Sequence, residues 1–147
     1  MASYCTGLPL PPQKDTNMKL SNKAEHNEDV VRNFVAAWSR LDAEELANYF
    51  TDNGVYHNIP LAPARGRDNV EKLISSFVST WTGTTWEIVN LVASDNVVIV
   101  ERIDHTRGVG KSVDLPIVGV FELEDGKIKH WREYFDLAAY EHGMGKD

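Results

Sequence analysis

The apolar positions in the first half of the chain recur at helical spacing. Apolar side chains at i, i+3, i+4 and i+7 between about residues 27 and 41 predict an amphipathic helix. Asp42 starts a capping-box-like sequence and predicts a second helix over 42–50. Turn residues at 51–54 are expected to end this helix, a short strand is predicted over 55–59, and a loop over 60–67 follows it. A third helix is predicted over 68–79, with Asp68 as its N-terminal cap.

The second half of the chain changes to the two-residue alternation of β-strands. An Asp-Gly pair at 125–126 is typical of a tight hairpin turn, and turn residues separate the other apolar runs. After the last strand, residues 137–140 are expected to form one helical turn. The predicted strands are residues 85–93, 96–107, 111–123 and 128–135.

This order of elements predicts an α+β fold. Three N-terminal helices followed by an antiparallel meander favour helices on one face of a curved sheet, which gives a cone with an internal pocket. Residues 1–24, with a Pro-rich start, are interpreted as an irregular tail, and residues 25–147 as one domain.

Composition and charge exclude several classes of function. With 15 Lys and Arg against 22 Asp and Glu, the formal net charge is −7, which disfavours nucleic acid and anionic lipid as partners. A single cysteine, Cys5, excludes an internal disulfide and a Cys-rich metal site. Neither a membrane-length apolar run nor a signal-peptide pattern occurs, so we expect a cytoplasmic protein. No His pair has metal-ligand spacing and no Gly-rich phosphate loop is present, so we expect no metal and no cofactor.

Charged residues interrupt the apolar face of two predicted strands. Arg102 and Asp104 continue the stripe that begins with Val98 and Val100, and Glu133 lies between two aromatic residues of the last strand. Burying a charge costs several kcal/mol, so such residues are retained when they are paired or used. From this pattern alone, acid–base chemistry, a structural ion-pair network and a solvated face all stay open.

Three stretches of the sequence together resemble the limonene-1,2-epoxide hydrolase family of the NTF2-like, or SnoaL-like, superfamily. The resemblance extends from about residue 27 to 141. It is carried by Val55-Tyr56-His57-Asn58-Ile59-Pro60-Leu61 with Gly66-Arg67-Asp68, by Glu101-Arg102-Ile103-Asp104, and by residues 119–137 with Trp131-Arg132-Glu133-Tyr134-Phe135.

The resemblance implies an NTF2-like cone and assigns roles to five residues. In that family an Asp–Arg–Asp triad acts together with a Tyr and an Asn that hold water. The Arg and the first Asp correspond to Arg102 and Asp104, and the water-holding pair corresponds to Tyr56 and Asn58. The second Asp falls on Glu133, which is one methylene longer.

The activity implied by the resemblance is one-step hydrolysis of a lipophilic epoxide to a vicinal diol. It also implies a homodimer formed through the sheet, with which outward apolar residues such as Ile103, Val118 and Val120 are consistent. An isomerase or cyclase on the same fold, and a non-catalytic binding or dimerisation domain, are the alternatives. The expected apolar walls of the substrate pocket are Val35, Trp38, Phe77, Trp81, Leu115, Ile117 and Phe135.

Overall fold

The fold is described from a computed structural model, which covers residues 20–145. Residues 1–19 of the tail predicted for 1–24 lie outside the described residues. Four α-helices and six strands form within the described part. The helices are α1 (Asn22–Ala37), α2 (Ala43–Ala47), α3 (Arg67–Val78) and α4 (Leu137–Met144). The strands are β1 (Phe50–Asn58), β2 (Ala64–Arg65), β3 (Gly83–Ala93), β4 (Val97–Gly108), β5 (Lys111–Glu124) and β6 (Lys127–Tyr134).

The six strands form one mixed sheet in the order β2-β1-β6-β5-β4-β3. The predicted meander is present, because β3, β4, β5 and β6 pair antiparallel in sequence order. β1 returns to the other edge of this meander and pairs parallel to β6. The predicted α+β fold is confirmed, and the parallel pairing brings an early strand next to the last one.

The first helix begins five residues before the predicted start at residue 27. The hydroxyl of Ser21 accepts a hydrogen bond from the backbone N–H of Ala24 at 3.0 Å and caps α1. Ala24 is buried, so residues 22–24 belong to the folded domain and not to the tail. The helix continues as a 3₁₀ turn over Trp38–Arg40 and ends at Leu41, which has a φ of 54°.

The second helix is shorter than predicted, and the turn predicted after it is wrong. α2 ends at Ala47, and the chain enters β1 at Phe50 instead of remaining helical. Phe50 pairs with Ile128 of β6, and a bulge lies between Phe50 and Val55. Long-range pairing of the flanking residues with β6 therefore includes residues 51–54 in the strand as an irregularity.

The predicted cap of the third helix is also wrong. Gly66 occupies the capping position of α3 with a φ of 85°, and Asp68 lies in the first turn. A carboxylate there still interacts favourably with the positive end of the helix dipole. Just before this helix, the short strand β2 pairs antiparallel with β1 in a segment predicted to be a loop.

The hydrophobic core lies between the helices and the inner face of the sheet. The rings of Phe34 in α1 and Trp131 in β6 meet edge to face with centroids 4.9 Å apart. Along β4 the buried side chains alternate with outward ones, and this inner stripe passes from Val98 and Val100 to Arg102 and Asp104. The apolar core and the charged residues are thus consecutive parts of one surface. Among the described residues, no helix combines the length and apolar character that a membrane crossing requires.

Candidate active site

Arg102 joins two carboxylates that come from different strands. Its Nε donates to Oδ1 of Asp104 at 2.8 Å and its Nη2 to Oδ2 at 3.1 Å. Its Nη1 donates to Oε2 of Glu133 at 3.0 Å, and Nη2 also contacts Oε1 of the same carboxyl. Arg102 and Asp104 are two residues apart on β4, whereas β5 lies between β4 and β6 in the sheet. The planar guanidinium therefore spans the width of a strand and fixes the two carboxylates relative to each other.

All three charged groups are withdrawn from water. The exposed fractions are 1% for Arg102, 5% for Asp104 and 1% for Glu133. Burial raises the pKa of Glu133 to about 7, although the attraction of Arg102 opposes this rise. Burial also raises the pKa of Asp104, and Arg102 again opposes it. Two neighbouring carboxyls with raised pKa values titrate as a pair, which is suited to holding and moving one proton near neutral pH.

The guanidinium of Arg102 contacts the faces of two indole rings. Its carbon is 4.1 Å from the ring centre of Trp86 and 5.7 Å from that of Trp131. The Trp86 N–H donates to Oγ1 of Thr84 at 3.1 Å, and Thr84 in turn is hydrogen-bonded to Thr106 at 2.8 Å. These aromatic faces stabilise the buried cation and hold it in one orientation.

Asn58 and Tyr56 lie beside Glu133 because of the parallel pairing of β1 and β6. In that register Asn58 is paired with Glu133, and Tyr56 with Trp131. The ring of Tyr56 is stacked on Trp131 at 4.3 Å with an interplanar angle of 11°. Burial and the charge of Glu133 raise the pKa of the Tyr56 phenol, so it remains a neutral hydroxyl. An amide and a phenol are thus placed next to the carboxylate of Glu133.

The polar groups open into a largely apolar cavity of about 600 Å³. Tyr56, Asn58, Asp104 and Glu133 line it, whereas Arg102 lies behind the two carboxylates. A cavity of this size with a few placed polar groups is typical of a small-molecule site. Five of the seven expected wall residues line it, namely Phe77, Trp81, Leu115, Ile117 and Phe135.

The structure places the other two expected wall residues, Val35 and Trp38, in the core. Both are buried, and neither lines the cavity. Trp38 is stacked on Trp86 with centroids 4.3 Å apart, and it is Trp86 that faces the cavity. The helical pattern showed that Trp38 faces inward, but a side chain on β3 comes between it and the pocket.

Several lining residues were not predicted from the sequence. Trp86 was missed although its position on β3 pairs directly with Asp104. Helix α4 was expected to be a single turn, yet it contributes Leu137, Tyr140 and Met144 to the cavity. The hydroxyl of Tyr140 accepts a hydrogen bond from the Trp81 indole at 3.1 Å and fixes this helix to the wall. The alternation of Thr84, Trp86 and Ile88 was the one signal available for Trp86.

Comparison with known proteins gives the family. A family model of the SnoaL-like domain matches residues 31–131. The chain belongs to this family. Over 107 residues it is 29% identical to the epoxide hydrolase EphG of Mycobacterium tuberculosis. The matched region covers 73% of this chain and 71% of EphG. The family prediction made from the sequence is therefore confirmed.

Two solved structures have a similar fold. The structure of an LEH-like epoxide hydrolase of M. tuberculosis matches with a TM-score of 0.72 at 26% identity, over 83% of this chain and 91% of that one. SalBIII, an epoxide hydrolase/cyclase-like enzyme in pyran ring formation in salinomycin, matches with a TM-score of 0.70 at 20% identity, over 78% and 94%. The second likeness concerns the fold alone. Within residues 20–145, no three His, Cys, Asp or Glu side chains are grouped as metal ligands would be.

Proposed function

We propose that this SnoaL-like protein is a cofactor-independent epoxide hydrolase that converts a lipophilic epoxide to a vicinal diol. The observation that carries the proposal is the pair of buried carboxyls, Asp104 and Glu133, which Arg102 bridges at the wall of an apolar cavity. Opening an epoxide needs an acid at the oxygen and an activated water at carbon, held in one geometry. The likeness to EphG, an epoxide hydrolase, supports the same reaction class.

In this mechanism Glu133 is the general base and Asp104 the general acid. Asn58 and Tyr56 hold the attacking water, because the β1–β6 register places them beside Glu133. A water that donates to Glu133 favours the ionised form of this carboxyl. The one proton of the pair then resides on Asp104, from which it is donated to the epoxide oxygen.

The reaction is balanced without a covalent enzyme intermediate. Water attacks one epoxide carbon and transfers a proton to Glu133, while the carbon–oxygen bond breaks and the oxygen takes a proton from Asp104. The product is a diol, and the pair still holds one proton, now on Glu133. Arg102 stays protonated throughout, because its two carboxylate partners raise its pKa above the ordinary value. Transfer of one proton from Glu133 back to Asp104 restores the starting state.

The test is incubation with a panel of terpenoid and polyketide-type epoxides in heavy-oxygen water, with enzyme in excess over substrate. One labelled hydroxyl in the diol after a single turnover is the expected result. Label that appears first in a carboxylate of the protein would instead show a covalent mechanism.

Asp104→Asn is expected to lower diol formation by about 10²- to 10⁴-fold, the range for removal of a general acid. Asp114→Asn is the matched control, because Asp114 lies on the outer face of β5 with its side chain 74% exposed. Equal activities of the two variants would contradict the assignment of the acid.

A proton-shuttling isomerase or cyclase is the second candidate function. The raised pKa of Glu133, about 7, favours it, since a carboxyl of this kind both gives and takes a proton at neutral pH. A shuttle needs no water in the product. Incorporation of solvent deuterium next to the carbonyl of a cyclic enone, with no diol from any epoxide of the panel, would identify this reaction.

We also propose that the protein forms a homodimer through the outer face of its sheet. Val92, Ile99, Val118 and Tyr134 on neighbouring strands are between 36% and 64% exposed. Contiguous exposed apolar residues of this kind are typical of an interface. Light scattering after size-exclusion chromatography tests it, and Val118→Lys is expected to yield monomers. A parent protein that is monomeric at every concentration would contradict the proposal.

A further inference from the structure

Gly119 lies in the middle of β5, directly opposite Glu133. In the sheet it is paired with Glu133 on one side and with Val100 of β4 on the other. Its φ is not among the positive values that favour glycine, so the backbone does not require a glycine here. Glycine in a strand interior costs about 0.5–1 kcal/mol relative to alanine. The reason for a glycine at this position therefore has to be room.

The space that a side chain at position 119 would occupy is filled by side chains of the charged site. A Cβ at this position would lie 2.6 Å from Oε2 of Glu133, 2.9 Å from Nη1 of Arg102 and 3.1 Å from Nε1 of Trp131. Oε2 and Nη1 are the two atoms joined at 3.0 Å in the ion pair. The Trp131 indole nitrogen is buried and has no hydrogen-bond partner among the described residues. All three nearest atoms belong to side chains of the site, and none belongs to the backbone.

We propose that Gly119 is a positioning residue for Glu133. The missing side chain lets the carboxyl of a glutamate lie back against β5, where it meets Arg102 near the Trp131 indole nitrogen. Glu133, whose side chain is one methylene longer than that of an aspartate, is thereby accommodated without moving Arg102. The role of Glu133 as a base rests on the proposed function, but the position of its carboxyl is measurable without any substrate.

The geometry predicts what a methyl group at 119 does. The atoms it would contact are the ends of side chains, so the backbone need not move and Gly119→Ala is expected to fold. The cost falls on the Arg102–Glu133 contact, because both of its atoms lie within 3.0 Å of the new methyl. Asp at 133 is shorter and leaves the space free. Gly119→Ala and Glu133→Asp are therefore expected to be coupled and not additive.

The substrate-free experiment combines a titration with a double-mutant cycle. The Glu133 carboxyl is followed by ¹³C NMR against pH and assigned by its absence in Glu133→Gln. Gly119→Ala is expected to raise the pKa of Glu133 further, since the contact with Arg102 is weakened. Chemical denaturation should show a loss of stability from Gly119→Ala in the parent that is absent in the Glu133→Asp background. An unchanged titration together with additive stability losses would overturn the proposal.

Gly83→Ala is the matched control, because a Cβ at this strand glycine meets nothing within 4 Å. On an epoxide that the parent opens, Gly119→Ala is expected to lower kcat by about 10- to 100-fold with little change in KM. Adding it to Glu133→Asp should cost nothing more. An unchanged kcat in Gly119→Ala would count against positioning. If Gly119→Ala raises the pKa of Glu133 and its stability loss is not additive with that of Glu133→Asp, but no epoxide is opened, the role of Gly119 stands and the proposed reaction fails.

Discussion

The guanidinium carbon of Arg102 lies 4.1 Å from the ring centre of Trp86, so the buried cation is stacked on an aromatic face. Trp86 is itself held in place, since its other neighbour Trp38 is stacked on it and its N–H is bonded to Thr84. Arg102 donates hydrogen bonds to both carboxylates, whereas the ring of Trp86 keeps water from the face of the guanidinium. The positions of the acid and the base therefore depend on an aromatic residue that takes no proton.

Replacement of Trp86 tests this stack. Trp86→Phe keeps an aromatic face over Arg102, while Trp86→Leu removes it. A desolvated cation–π contact contributes about 2 kcal/mol. We expect the free energy of unfolding, measured by chemical denaturation, to fall by about that much more in Trp86→Leu than in Trp86→Phe. Equal losses in the two variants would show that the ring contributes only its volume.

The location of the charged site could be predicted because strand alternation is a local property. Once β4 is recognised, the apolar positions Val98 and Val100 determine that Arg102 and Asp104 face inward. The same alternation applied to β6 directs Glu133 to the inside. Two-residue periodicity needs no knowledge of the partner strand, so this part of the prediction survived errors in the helix boundaries.

What depends on pairing between distant segments could not be predicted from local pattern. The turn expected at residues 51–54 became an irregularity within β1, because the residues on either side of it pair with a distant segment, β6, as Phe50 with Ile128 and Val55 with His130. Burial depth is likewise non-local, which is why Trp38 was expected in the pocket wall. Gly119 belongs to the stretch that carries the resemblance, but its role could not be predicted, since the significance of a missing side chain appears only when its neighbours are known.

The pH dependence of epoxide opening tests the role of Glu133. Burial raises the pKa of this base to about 7, so it takes up a proton as the pH falls through that value. Below the midpoint kcat/KM should fall about tenfold per pH unit. An unperturbed glutamate would place the midpoint near pH 4.5. An acid limb with a midpoint below pH 5 would show that an ionised Glu133 is not the limiting group.

The same raised pKa makes a prediction for stability. Between pH 4.5, the ordinary pKa of a glutamate, and about 7, folded Glu133 binds a proton that the unfolded chain has lost. The free energy of unfolding therefore includes a contribution that is present below pH 4.5 and is lost as the pH rises through about 7. Glu133→Gln lacks this contribution. The free energy of unfolding of the parent minus that of the variant should therefore decline as the pH rises over this window.

Glu101→Gln is the control for this measurement. Glu101 lies one residue before Arg102 on the outer face of β4, where it is exposed and bonded to Asn90. Its replacement changes the overall charge as Glu133→Gln does, without touching the buried pair. A decline of similar size in Glu101→Gln would attribute the effect to net charge and not to burial.

The hydrogen bond from Trp81 to Tyr140 leads to a prediction about α4. This helix lines the cavity, contains no fully buried residue and packs against β5. Tyr140→Phe keeps the ring next to Phe77 and removes only the hydroxyl that accepts from the Trp81 indole. Loss of one such bond costs about 0.5–1.5 kcal/mol. Amide hydrogen exchange in α4 should therefore accelerate by roughly twofold to tenfold, because local opening becomes easier by that amount.

Tyr134→Phe, on the exposed outer face, is the matched control and should leave α4 unchanged. Equal exchange rates in the parent and Tyr140→Phe would mean that the hydrogen bond from Trp81 does not hold this helix against the cavity.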